Sequence, residues 1–438
     1  MYKYIYFLLS FFIASQGYSQ NLHLHGTVMG RGVDQEPQPL VRARILAQPI
    51  LSGTLTDEEG KFHLMAPAAT KKLIVKYRGY QSDTIAIDGD GHFTITLEAV
   101  RQADSVLITA DQKSSSIDPF STQLIEELSK DELLKAACCN LGESFETNAA
   151  VDVHFTNAIT GTRQIDMLGL AGPYTQISIE SMPGIRGLTS QVGLNLIPGP
   201  WIESIQISKG TGSVVNGYES IAGQINIELI KPQEGPKLHV NGFVNQSGRT
   251  ELNLHTSQKI NEHVSTSILA HGSIRSLEVD RNGDGFMDMP QTQQINLLNR
   301  WYFSGNKNIN GQLAVHYVDD FRQGGKLSEL TNPYRIDMRT RQTRVWGKLG
   351  WINPNRTAES IGIQVLANDV LQDFNLSNRG DYDARQQTLY ANLIYQNYIS
   401  NTNHQIRTGI SALLDQVSET FGTQTFNRTE PVTGIFGD

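Results

Sequence analysis

The stretch Ile309-Asn-Gly-Gln-Leu-Ala-Val-His-Tyr317 puts Ile309, Gly311, Leu313, Val315 and Tyr317 in one register and Asn310, Gln312, Ala314 and His316 in the other. Successive side chains of an extended chain point to opposite sides, so this is a strand with one apolar and one polar face. The split recurs at Leu238/Val240/Gly242/Val244 against His239/Asn241/Phe243/Asn245, and at Val264/Thr266/Ile268/Ala270 against His263/Ser265/Ser267/His271. Later examples are Ile361/Ile363/Val365/Ala367 and Ile406/Thr408/Ile410/Ala412/Leu414. A soluble sandwich shows the same alternation, usually in strands of about five or six residues. Strands of about ten residues, lipid on one side and water on the other, predict an outer-membrane β-barrel. Short turns at Asn261, Ser304–Asn308 and Asn401–Asn403 alternate with long polar stretches at Leu277–Gln291, Phe321–Arg341 and Asp369–Arg385. That asymmetry predicts a periplasmic and an external rim.

The 438 residues carry 36 Lys+Arg against 44 Asp+Glu, a net charge of −8, with 39% hydrophobic and 18% charged residues. A disordered acidic tail needs far more charge. A general nucleic-acid binder needs an excess of cations to neutralise phosphates. Beyond the first twenty positions no uncharged apolar run approaches the roughly 18 residues of a membrane helix. With 39 glycines and many short alternating segments, the profile is that of a β-protein.

Outward from the alternating region, the chain divides into five parts. Residues 1–19 read as a signal peptide: Lys3, an apolar core from Ile5 to Ala14, then the small residues Gly17 and Ser19. Residues 20–99 hold about seven short alternating runs separated by turn chemistry such as Asp57-Glu-Glu-Gly60, which predicts a small β-sandwich. Residues 100–122 form a linker, 123–232 mix short helices with strands and glycine turns, and 233–438 hold the long alternating strands. In the fourth part, Ser129-Lys-Asp-Glu132 forms a capping box that predicts a helix start, and Asn140-Leu-Gly-Glu143 predicts a second helical turn.

Ile202-Glu-Ser-Ile-Gln-Ile-Ser-Lys-Gly210, Ser213-Val-Val-Asn-Gly217 and Ile221-Ala-Gly-Gln-Ile-Asn-Ile227 together resemble the plug signature of TonB-dependent outer-membrane receptors. The signature positions are Glu203, Lys209, Gly210, Gly217, Gly223 and Asn226. Its glycines suit turns with positive φ and close backbone approach in a crowded lumen. Ala136–Glu146 and Gln164–Leu170 resemble the Bacteroidetes branch of that family. Gly53–Phe62 with Val75–Tyr80 resembles the carboxypeptidase-regulatory-like (transthyretin-like) domain, a non-catalytic accessory fold. The fold so implied is mainly β: an N-terminal sandwich, a mixed α/β plug, then the first nine or ten strands of a transmembrane antiparallel barrel.

The resemblance assigns Asp104, Ser105, Val106, Leu107, Ile108, Thr109 and Ala110 as a TonB box, an extended peptide captured through strand addition by an inner-membrane-anchored energy transducer. The alternative is the last edge strand of the preceding domain. It further implies an exported protein of the cell outer membrane, its N-terminal domain in the periplasm, importing a scarce small-molecule nutrient without a required cofactor and without nucleic acid. Ile227-Glu-Leu-Ile-Lys231 looks more like receptors for metal chelates (siderophores, haem, cobalamin or metal complexes) than like the SusC-like importers of glycans or peptides. A signalling or adhesive outer-membrane protein with the same plug is the other alternative. No GxSxG, HExxH or P-loop pattern occurs, so no enzyme is expected.

Three residue groups remain. Asp280, Asn282, Asp284 and Asp288 stand at loop positions one, three, five and nine, with Gly285 at six and Phe286 at seven, a spacing that wraps Ca²⁺. Gln291 stands at position twelve, where an EF-hand has Glu, and a solvated loop of Asx turns is the alternative. His239, His255, His263, His271 and His316 fall on polar-facing positions, while His23 and His25 alternate on one strand and lack visible partners. Cys138 and Cys139 are adjacent, so a structural disulfide between them is not expected, and two small buried side chains are. Residues 237–438 supply about half of the roughly 22 strands of a plugged transporter, and Ile435-Phe-Gly-Asp438 lacks a terminal aromatic. The expectation is an N-terminal part of a receptor that does not insert and function alone, because an open sheet leaves unpaired edges in lipid.

Overall fold

The computed structural model describes residues 21–31, 37–48, 52–77, 80, 82–98, 115–117, 125–130, 133, 139–145, 148, 151–157, 159–305, 308–354, 356–398 and 405–437. The expected signal peptide, the segment Asp104–Ala110, most of the helix expected after Ser129, and Cys138 lie outside these residues.

Eight strands build the N-terminal domain: β1 (Asn21–Arg31), β2 (Gln38–Pro39), β3 (Arg44–Gln48), β4 (Ser52–Leu55), β5 (Lys61–Pro67), β6 (Lys72–Lys76), β7 (Asp83–Ala86) and β8 (Gly91–Glu98). They form two four-stranded sheets. In the first, β1 pairs antiparallel with β5 and β2 and parallel with β8; the second runs β4-β3-β6-β7. Alternation aims Leu24, Val28, Phe62, Leu64, Ile95 and Leu97 at Ile45, Ala47, Leu73 and Val75, and this is the sandwich core. The Asp57 carboxylate closes the turn before β5, accepting from the Glu59 and Lys61 amides at 3.0 and 2.8 Å.

The plug comprises β9 (Ser115–Ile117), β10 (Ile125–Ser129), α1 (Leu141–Ser144), β11 (Asp152–Asn157), β12 (Thr162–Met167), β13 (Leu170–Ala171), β14 (Thr175–Ile179), β15 (Met182–Ile185), α2 (Gly193–Leu196), β16 (Ile202–Lys209) and β17 (Gly223–Leu229). Its main sheet has the order β15-β14-β17-β16-β10-β9, and only β14 and β17 run parallel. Asn140 caps α1 as expected, its side chain accepting from the Glu143 amide at 3.1 Å.

Ten strands then form one continuous antiparallel wall: β18 (His239–Val244), β19 (Arg249–Lys259), β20 (Val264–Arg275), β21 (Gln291–Ser304), β22 (Ile309–Gly325), β23 (Arg335–Asn353), β24 (Arg356–Leu376), β25 (Gly380–Tyr398), β26 (Gln405–Phe421) and β27 (Gln424–Gly437). The wall is inverted with respect to a soluble sheet. On its outer face Leu297 and Leu313 are 48% and 46% exposed, whereas inward-facing Asn296 and His316 are 0% and 6% exposed. Apolar outside and polar inside is the arrangement that lipid around a hydrated lumen selects. No helix among the described residues is long and apolar enough to cross a membrane.

The structure corrects two of the expected long loops. Within Phe321–Arg341, β22 continues to Gly325 and β23 already starts at Arg335. Within Asp369–Arg385, β24 and β25 remain paired until Leu376 faces Gly380, leaving only residues 377–379 as a turn. The polar composition reports a wet outer face and an inner face that meets the plug through polar groups such as Gln372 and Gln386, not that the ladder has stopped. Ion pairs across the strands, Arg339–Asp319 at 2.6 Å and Arg385–Asp369 at 2.8 Å, occupy that wet face. Residues 277–290 remain a loop between β20 and β21, the third and fourth wall strands, and Gln291 opens β21.

Candidate functional site

The expected signature residues build the centre of the plug. Gly210 and Gly217 take φ of 84° and 135°, conformations that favour glycine. Gly223 serves a close approach instead: a Cβ there would run into the Met167 thioether and come 2.8 Å from the Ser208 carbonyl. The Asn226 side chain accepts from the Ser181 amide at 2.7 Å and donates to Glu228 and Gln206 at 2.9 and 3.2 Å, tying β17 to the turn after β14. Glu203 and Lys209 are different. Lys209 is exposed, and among the described residues Glu203 makes a 3.9 Å pair with Lys130, so neither joins the buried charges described below.

The turn held by Asn226 carries the strongest plug–wall contact. Glu180 and Ser181 adopt φ of 57° and 59° in that turn, which aims the Glu180 carboxylate at the wall. Arg300 of β21 grips it with two bonds of 2.8 Å, Lys348 of β23 donates at 2.9 Å, and the Leu229 amide donates at 3.0 Å. Glu180 and Arg300 are 1% and 0% exposed, so the pair is shielded from water. Burial raises the Glu180 carboxyl, but Lys348 and Arg300 outweigh it and hold it down at about 2. Arg344 of β23 donates to the Ile179 carbonyl at 3.4 Å and lies over Trp346.

Two more charged contacts flank this one. Arg186, just after β15, pairs with Asp415 of β26 and at 2.7 Å with Glu219. Glu143 of α1 accepts from Arg249 of β19 at 2.7 Å. Burial raises the Glu143 carboxyl, while Arg249, the Cys139 amide and Arg163 lower it, with a net downward shift. Neutral bonds fill the intervals: Gln386 accepts from the Leu188 amide at 2.8 Å, Gln372 donates to the Leu188 carbonyl at 2.8 Å, and Asn392 donates to the Val215 carbonyl at 2.9 Å. Apolar packing joins them where Trp201 and Ile205 share a core cluster with Leu269, Leu298 and Trp346 of the wall. A folded domain thus packs against the inner face of the wall, pinned by charge at three stations.

Residues 24–109 match the CarboxypepD_reg-like domain family. No curated protein matches the chain by sequence. Among solved structures, an FpvAI–pyocin S2 complex matches with a TM-score of 0.57 at 12% identity, over 83% of this chain and 55% of that one. The siderophore receptor PiuA from Acinetobacter baumannii matches with a TM-score of 0.53 at 12% identity, over 71% and 53%. The copper transporter OprC matches with a TM-score of 0.55 at 13% identity, over 74% and 52%. The chain has the fold of the TonB-dependent outer-membrane receptors.

The chain spans about half the length of these solved receptors. Within the receptor fold, a cavity of about 500 Å³ lies between plug and wall, lined by Arg163, Arg186, Glu219, Gln386, Asp415 and Arg428 among others. Glu180, Arg186, Arg300, Lys348 and Asp415, which form two of the three charged stations, carried no motif in the sequence. Their only signal there was charge at a lumen-facing register: Arg300 and Lys348 interrupt the apolar runs of β21 and β23, and Glu180 sits between Ile179 and Ser181. Partners 120 and 168 positions apart are invisible to spacing.

The remaining expectations separate. In the Asp280–Asp288 loop the side-chain oxygens cap the loop's own backbone: Asp280 accepts from the Gly283 and Gly285 amides at 2.8 and 2.9 Å, and Asp284 from Phe286 at 2.8 Å. Gly283 and Gly285 supply the bend with φ of 74° and 81°. Among the described residues no three His, Cys, Asp or Glu side chains form a ready-made metal site. His255, His271 and His316 are buried at the inner face of the wall, where His271 meets Asn253 at 2.8 Å and His316 meets Asn296 at 3.2 Å. His239 and His263, expected to face the same way, are exposed near the strand starts. Cys139 is buried, and burial pushes its thiol up to about 12. The accessory-domain match runs to residue 109 and so overlaps the expected TonB box from Asp104 onward, while β8 of the domain ends at Glu98.

Proposed function

We propose that the chain serves energy-coupled import across the outer membrane, with a metal chelate as cargo. The observation that carries this reading is a folded plug held inside a polar-lined wall by ion pairs at three stations. Separating buried charges into water returns their solvation, so such contacts release at lower cost than an all-apolar interface of equal area. A pull on the plug would exchange its wall contacts for water and open a path beside it. The cavity lined by Arg186, Glu219 and Asp415 lies along that seam. Two solved structures with this fold are a siderophore receptor and a copper transporter, which favours metal cargo over glycans. A bilayer-spanning wall needs the outer edges of β18 and β27 hydrogen-bonded, so the import reading concerns the closed barrel.

In this reading the segment Asp104–Ala110 is the handle, captured as an added strand by a TonB-type transducer whose inner-membrane complex is driven by protons. The N-terminal sandwich then sits in the periplasm. The test is uptake of ferric and cupric chelates by metal-starved cells lacking the gene, complemented with the native protein or with Val106→Pro, which removes a backbone donor from the handle. Loss of uptake in the deletion and in the proline variant is expected. Undiminished uptake of every chelate tested, with loss of growth on a glycan or peptide, would transfer the assignment to that cargo class. Unchanged uptake of all of them would leave a signalling or adhesive role.

The Asp280–Asp288 loop is a separate proposal. Ca²⁺ would replace the backbone amides now held by Asp280 and Asp284 and stiffen the loop between β20 and β21. Calcium should raise the thermal stability of the native protein and leave Asp284→Ala unmoved; equal behaviour of the two sinks the proposal.

A further inference from the structure

The histidine pair His23 and His25 acquires its partners from the fold. In the first sheet of the sandwich, β1 lies between β5 and β8, and the register places His63 directly across from His25 on one side and His92 directly across on the other. The ring centroids of His25 and His63 are 5.4 Å apart, and those of His25 and His92 are 5.3 Å apart. His23, two residues before His25, falls on the same face, and its amide donates to the Asp90 carboxylate at 2.7 Å. His23, His63, His92 and Asp90 are exposed and His25 is half-buried, so the whole row is open to solvent. The opposite face of these strands is the sandwich core, which fixes the backbone beneath the row.

We propose that this row binds a divalent transition-metal ion of the imidazole-preferring class, Cu²⁺ or Zn²⁺, on the outer face of the N-terminal domain. The distances carry the argument. A metal–nitrogen bond of about 2.0–2.1 Å, with the ring centre about 1 Å beyond, sets two imidazoles of a tetrahedral site about 5 Å apart, centre to centre. Both neighbouring pairs in the row have that separation before any metal is present. As placed, His25 and His63 stack with 13° between their planes and His92 stands edge-on, so their nitrogens do not share a focus. Rotating exposed rings between rotamers costs on the order of 1 kcal/mol, little beside the binding energy of three nitrogen ligands to such an ion. His23 or the Asp90 carboxylate stands near enough along the strands to complete the set. The competing role is structural: cross-strand ring pairs stabilise a sheet by themselves.

This site is independent of the import reading, because it involves neither plug nor wall. The test uses the full-length protein titrated with Cu²⁺ and read by electron paramagnetic resonance, with Zn²⁺ as competitor. One equivalent of Cu²⁺ showing nitrogen hyperfine structure is expected, displaced by Zn²⁺. His63→Gln and His92→Gln, both exposed positions, should each weaken binding at least tenfold, and His25→Tyr should abolish it while keeping the ring contacts. His239→Gln with His255→Gln, a second close histidine pair in the wall, should leave it unchanged. Binding that survives the three substitutions in the row, or that is lost in the wall variant, overturns the proposal. So does a protein that takes up no Cu²⁺ at micromolar concentration.

Discussion

Glu180 shows how one residue sets the character of the plug–wall seam. Its carboxylate neutralises the buried Arg300 and the half-buried Lys348, and removing it takes the anion from both. Glu180→Gln should therefore destabilise the folded protein by about 3–5 kcal/mol, read by chemical denaturation. The pH dependence has a definite sign. The carboxyl is held at about 2 in the folded state against an ordinary 4.5, so its contribution is complete above pH 4.5 and is lost as pH falls from there towards 2. The native protein should lose thermal stability over that window, and the Glu180→Gln variant should lose less. Cys139 gives a second outcome at this scale. A thiol buried and pushed up to about 12 is not a thiolate at pH 8, so peptide mapping should find Cys139 unalkylated by iodoacetamide until the protein is denatured.

At the scale of elements, the wall strands outrun their own apolar faces. β24 and β25 have 21 and 19 residues, about twice the ten that the alternation marks out. Alternation reports what each face touches, whereas strand length reports how far the backbone ladder continues, and the two part where the outer face meets water and the inner face meets the plug through polar side chains. Amide exchange separates them. Residues 370–375 and 381–386 should exchange slowly, as paired strand; fast exchange throughout would restore the loop that composition alone suggests. Cutting the exposed Asp369–Arg385 pair by Asp369→Asn should change stability by less than about 1 kcal/mol, because the ladder rather than the ion pair holds the hairpin. The glycines of the plug divide in the same physical terms: Gly217 answers a positive φ, Gly223 a close approach to Met167.

For the whole molecule, the central question is whether plug and wall move apart in use. The Leu188 amide and carbonyl bond to Gln386 and Gln372 on neighbouring wall strands, so this point of the plug is tied to the barrel without any charge. If the proposed import of a metal chelate holds, a short bifunctional thiol cross-link between Leu188→Cys and Gln386→Cys should abolish it while leaving surface binding intact. Cleaving the link should restore import. Import that continues through a linked plug would require a path that opens without displacement at that seam.

Much of this architecture was legible before any coordinates. Periodicity two, with strands too long for a soluble sandwich, reported a wall with a lipid face; short runs between Asx and glycine turns reported the small sandwich; the 202–227 segment marked the plug through its resemblance to a receptor-family signature, whose glycines suit tight turns and close contacts. These are local properties, written in neighbouring residues. The charged stations and the histidine row were not legible, because each joins groups that only strand register and domain docking bring together. Glu180 meets Arg300 through a turn whose φ angles aim it, and His25 meets His63 and His92 through hydrogen-bonded ladders. The chain's own pattern determined which elements form and which face each one buries. Only the tertiary structure decided which side chains meet, since a contact across a sheet or a lumen depends on registers that no local spacing encodes.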